Sequence, residues 1–192
     1  MTLLLLGLAL FLGAHSVRIF AEDWRTARIA ALGPGAWKAL YSVVSIAGFV
    51  ALAYGYGLTR QAPLELWNPA RWTRHLAALL TLPAFILVAA AYVPGSHIKA
   101  KLRHPMILGV KAWAIAHLLC NGRLGDVVLF GAILLWAVLD FRAARQRDRR
   151  LGTTYPAVGV GRDIAVVIAG AAAWAAFALY LHGPLIGVLP FG

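Results

Sequence analysis

The sequence predicts an all-α, polytopic integral membrane helix bundle of about six transmembrane helices, and three observations predict it. Hydrophobic residues make up 61% of the 192 positions, charged residues only 13%, and mean hydropathy is +0.77. A soluble chain of that composition lacks the polar surface to cover itself. The apolar residues gather into runs at about 2–20, 39–58, 76–93, 105–120, 125–141 and 163–182. Each is close to the roughly 20 residues a bilayer crossing needs, the fourth and fifth being short. Lys and Arg also alternate across these runs. Thirteen fall with Arg18 and the connections 21–38, 94–104 and 142–162, four (Arg60, Arg71, Arg74, Arg123) fall on the other side, and Lys111 lies inside a run. That asymmetry makes the basic side cytoplasmic and puts both termini outside. The runs leave no length for a soluble part, so residues 1–192 read as a single membrane domain.

The first run, LLLLGLALFLGAHSVRIF, has no basic residue before it and no clear small-residue cleavage site after it, so it reads as a retained span rather than a signal peptide. Ala9 and Gly13 are spaced for close helix packing. The second repeats small residues at Ala47, Ala51 and Gly55, which places it inside the bundle with Ser42, Ser45 and Tyr54 facing polar partners. Trp67 and Trp72 follow among charges, the pattern of a segment anchored at the membrane interface. Pro83 frees a carbonyl in the third span and bends it. The basic turn PGSHIKAKLRH leads to Pro105 in the first turn of the fourth span. The fifth ends in FRAARQRDRRLG, which reads as a solvated helix end. The sixth has no ionisable residue in its interior and reads as peripheral. VGVGRD at 158–163 follows no βαβ pattern and is no dinucleotide fingerprint.

The net charge of +11 sits in loops beside the spans, where it meets membrane lipids rather than nucleic acid. The single cysteine, Cys120, excludes a disulfide framework and the Cys-x-x-Cys-His of covalent c-type haem attachment.

An ionisable group in hydrocarbon costs several kcal/mol unless it is paired, so each needs a partner or a task. His15 lies twelve residues in from the outer edge of the first span and His117 twelve residues in from the cytoplasmic edge of the fourth, each about 18 Å of rise. In a core about 30 Å thick those depths differ by about 6 Å. Two readings follow from the residues. Each histidine donates a hydrogen bond to a neighbouring helix, or the two grip one metal, for which the large apolar candidate is haem b with its propionates toward Arg18 or Arg103. His104 sits at the headgroup level as a solvated histidine, Lys111 snorkels toward the cytoplasmic edge, and Asn121, one turn after His117, caps the helix or fixes the imidazole tautomer. The candidate cofactor-binding set is His15, His117, Asn121, Arg18, Arg103 and His104, with His15 and His117 as metal ligands. No catalytic residue is assigned.

LFLGAHS, YSVVSIAGFV, YGYG, LRHP and above all LGVKAWAIAHLLCNG resemble the NnrU family of bacterial membrane proteins over about residues 2–145, which leaves 163–182 as an extra C-terminal transmembrane helix. The resemblance implies a multi-pass inner-membrane protein with periplasmic termini, linked in denitrifying bacteria to nitrite and nitric oxide reduction, and so a membrane redox or reductase partner. RHP and the Trp-x-x-Ala-His run are also similar to the zeta-carotene isomerases, which implies haem b between residues matching His15 and His117 and, as an alternative function, haem-dependent cis-trans isomerisation of a carotenoid or other polyene. Ala114 stands where those isomerases carry a cysteine, which removes that thiol. Arg103-His104-Pro105 with Gly109 is similar to a segment of membrane methyltransferases that bind S-adenosylmethionine, but Ile107 replaces their tyrosine and their later paired glutamates are absent near Asp140. A non-catalytic scaffold or assembly factor is the third reading.

Overall fold

The computed structural model describes residues 1–191. Among them the chain is all helical: α1 (Thr2–Phe20), α2 (Glu22–Leu32), α3 (Pro34–Thr59), α4 (Thr73–Tyr92), α5 (His97–Leu102), α6 (Pro105–Cys120), α7 (Leu124–Leu151), α8 (Val160–Ala176), a π-helical turn (Phe177–Leu181) and α9 (His182–Ile186). Extended pairing among the described residues is limited to an isolated antiparallel bridge between Glu65 and Arg123. Five stretches are long and apolar enough to cross a membrane: Thr2–Phe20, Pro34–Thr59, Trp72–Tyr92, Leu124–Leu151 and Val160–Ile186. The remaining expected segment, the fourth, is α6, apolar but 16 residues long. The protein is a polytopic helical membrane protein. The helix that carries the fifth expected span, α7, runs 28 residues and continues well past the apolar part on helix-forming Arg, Ala and Gln.

The chain packs as two compact units, Met1–Trp67 with Gly122–Asp140, and Asn68–Asn121 with Phe141–Gly192. In the first, α1 and α3 touch main chain to main chain. A Cβ on Gly7 would strike the backbone of Leu52, one on Gly48 that of Phe11, and one on Gly55 that of Leu4. Without a hydrophobic drive between helices in lipid, such close approach lets dispersion hold the pair. This corrects the expected seam. Gly13 meets nothing within 4 Å and Ala9 is exposed, because the approach is closest where no Cβ exists at all, at Gly7, Gly48 and Gly55. The same rotation turns Tyr54 outward, 65% exposed, and leaves the polar contact to Tyr56, whose hydroxyl donates to Asp126 at 2.7 Å. The connection 60–67 is pinned by main-chain bonds from Leu66 to Gly122 and from Leu124 to Leu64.

In the second unit α4 is the central helix. Gly109 of α6 and Gly170 of α8 each face it without room for a Cβ, against Ala84 and Ile86 respectively. The Trp174 indole donates to Thr81 at 3.0 Å. Pro83 lies inside α4, which continues through it.

Candidate functional site

His15 is one turn below Phe11 on α1, and its Nδ1 lies 2.7 Å from the Phe11 carbonyl oxygen. A carbonyl only accepts, so Nδ1–H donates and the neutral ring carries its lone pair on Nε2, the form in which histidine binds metal. The ring is packed by Phe11, Tyr41 and Trp136, with centroids 4.4, 5.3 and 6.0 Å away. The Trp136 Nε1 donor is buried without a hydrogen-bond partner among the described residues, an unmet demand beside the imidazole.

His117 repeats the local geometry on α6, in the other unit. Its Nδ1 is 2.8 Å from the Trp113 carbonyl oxygen, and the Trp113 ring lies 4.7 Å from its own. Again the carbonyl can only accept, so Nδ1–H donates. Asn121 is the C-cap residue, and its Nδ2 donates to the His117 carbonyl at 2.9 Å, satisfying an acceptor that the helix end would otherwise leave open. Of its two expected roles, capping is the one seen. Among the described residues no group of three or more His, Cys, Asp or Glu is placed to hold a bare ion. Each of the two imidazoles, taken in its own unit, is oriented by a main-chain carbonyl four residues earlier, the arrangement common to histidines that ligate a metal.

His104 is not a solvated histidine. Its Nε2 meets Asp148 at 2.8 Å, with the two side chains 18% and 6% exposed. The Tyr155 hydroxyl donates to the other Asp148 oxygen at 3.0 Å, and Phe141 and Tyr155 present their edges to the imidazole. Burial and the bond to Asp148 raise the Tyr155 phenol above the ordinary tyrosine value, opposed by Arg103 and Arg145. Arg103, just before, has φ 65° and ψ −52°, and His104 N donates to Leu102 O across it at 2.8 Å. That is a γ-turn of the rare, strained form, and it turns the chain sharply between α5 and α6. The Asp148 network overturns the reading of the last turns of α7 as a merely solvated end, since Asp148 and Ala144 are buried.

The family model described as NnrU protein matches residues 3–190. The chain belongs to the NnrU family. No curated protein and no solved structure matches it. The NnrU match runs through α8 and α9, so the last helix is part of the family pattern and not an addition to it.

Two further basic residues of this NnrU protein make contacts within its helices. Arg18 lies 3.8 Å from Glu22 in the next helical turn, and Lys111 places its ammonium 4.0 Å from the centre of the Phe141 ring, a cation–π contact inside an apolar helix. Asp126, absent from the sequence candidates, is 4% exposed and takes the Tyr56 hydroxyl and the Arg123 N–H. Its signal was an acid in the first turn of a helix after Asn-Gly, an N-terminal cap pattern.

Proposed function

We propose that this NnrU family protein binds haem b, which His15 and His117 would hold through their imidazoles, and supports nitrogen-oxide respiration in the bacterial inner membrane, its termini periplasmic. The observation that carries the reading is the shared tautomer: each imidazole commits Nδ1–H to the carbonyl four residues earlier, Phe11 for His15 and Trp113 for His117. That bond orients the ring and raises the basicity of Nε2. The Trp136 N–H, buried beside His15 without an acceptor, supports a bound group there. Haem b would supply a one-electron couple to a membrane redox or reductase partner. The protein's own part would be to orient each ring through its Nδ1–H and to keep water from His15 with Phe11, Tyr41 and Trp136, while Arg18 and Arg103 are the cations proposed for the propionates.

The isomerase reading gains nothing from Ala114, which is fully buried and offers no thiol. The test is the absorption spectrum of the full chain purified in detergent after expression with ample haem, beside His15→Ala and His117→Ala. A Soret band that either substitution removes or shifts supports the proposal. No band, or one indifferent to both substitutions, overturns it.

A further inference from the structure

The turn after α4, α5, the connection before α8 and the first turn of α8 line an open pocket of about 300 Å³ in the second unit. Its frame is built rather than incidental. Gly95, at φ 78°, packs against Val158, and its carbonyl accepts the Val158 N–H at 2.8 Å. Asp163 clasps the start of α5, taking the His97 ring nitrogen at 2.7 Å and the Ile98 N–H at 3.1 Å. Ser96, fully buried, accepts the Lys99 N–H.

Two cations line this frame, Lys99 and Arg162. Lys99 directs one ammonium proton to the Ala91 carbonyl at 2.7 Å and keeps two. No ion pair is formed by Arg162 among the described residues. The nearby carboxylates are already committed, Asp163 to His97 and Ile98, and Asp148 to His104 and Tyr155. Positive charge therefore faces a pocket whose remaining wall includes Pro94, Pro156 and Val158. The volume is at the small end of ligand sites. The pocket lies at the ends of two helices long enough to cross a bilayer, Trp72–Tyr92 and Val160–Ile186, where a bilayer spanned by them would place its headgroups.

We propose that this pocket is a binding site for a phosphate-bearing anion, supplied by the headgroup of an anionic glycerophospholipid. Lys99 and Arg162 take the phosphate, and the proline and valine wall takes the first carbons of the chains. This reading stands apart from haem binding and neither needs it nor supports it.

The test is native mass spectrometry of the full chain in neutral detergent, titrated with dioctanoyl phosphatidylglycerol, dioctanoyl phosphatidylcholine or inorganic phosphate. The expected result is one retained phosphatidylglycerol, bound about tenfold more tightly than phosphatidylcholine and not displaced by equimolar inorganic phosphate. Arg162→Gln, at an exposed side chain, weakens it about fivefold, as expected for one lost cation at the membrane surface. Lys99→Arg retains binding, and Arg149→Gln, which removes the same charge from an exposed helix end, changes it less than about twofold. Equal losses from Arg162→Gln and Arg149→Gln would mean diffuse charge attraction and overturn the site. Displacement by equimolar inorganic phosphate, or equal retention of phosphatidylcholine, overturns the lipid assignment.

Discussion

His15 and His104 are the same residue type put to opposite uses. His15 is tied only to its own helix, through Nδ1 and the Phe11 carbonyl, and is otherwise surrounded by aromatic rings. His104 is tied through Nε2 to a buried carboxylate 44 residues away in sequence, and that carboxylate is held in turn by Tyr155. The first arrangement takes Nδ1 within one helix and meets α3 and α7 only through ring contacts to Tyr41 and Trp136. The second spends Nε2 on joining α6, α7 and the 152–159 connection. A histidine's chemistry is thus set by which ring nitrogen the fold takes.

The comparison breaks most visibly at His104. Replacing His104 with Ala leaves Asp148 buried with Tyr155 as its remaining side-chain partner, and the expected loss is about 2–3 kcal/mol. In the haem-free chain His15→Ala, by contrast, forfeits one bond within a helix and the contacts of a half-buried ring, about 1 kcal/mol. Thermal unfolding in detergent of the two variants side by side checks this; equal losses would erase the distinction. Tyr155→Phe is expected to cost about 1 kcal/mol, because Asp148 keeps His104. It also has a pH signature. The folded chain holds this phenol protonated to higher pH than the unfolded chain does, so its contribution is fully present below about pH 10 and is lost as pH rises through the raised value. Ultraviolet titration of the parent protein against Tyr155→Phe should therefore show one late-ionising tyrosine missing from the variant. The smallest effect belongs to Asn121→Ala, about 0.5–1 kcal/mol from an unmet carbonyl at the end of α6, readable as faster amide exchange in the last turn before Gly122.

Much of this was legible in the sequence, and the failures have physical causes. The apolar runs located the membrane helices because length and hydropathy are one-dimensional properties. His15, His117 and Lys111 stood out as polar groups in hydrocarbon. Asp148 did not, because a carboxylate among five arginines looks solvated until a helix from elsewhere supplies His104 and a connection supplies Tyr155. On α3 the expected seam was right at Gly55 but took Ala47 in place of Gly48, since both match the spacing and only three-dimensional packing shows where a Cβ fails to fit. The helix α2 was passed over within a charged connection, although Glu22 and Asp23 in its first turn complement the helix dipole.

The most direct measurement is the reduced-minus-oxidised absorption spectrum of purified His15→Ala set beside that of His104→Ala, each normalised to folded protein. The account predicts that His104→Ala keeps the haem bands of the parent chain despite its greater loss of stability, whereas His15→Ala loses or shifts them. Bands unchanged in His15→Ala and abolished in folded His104→Ala would contradict it.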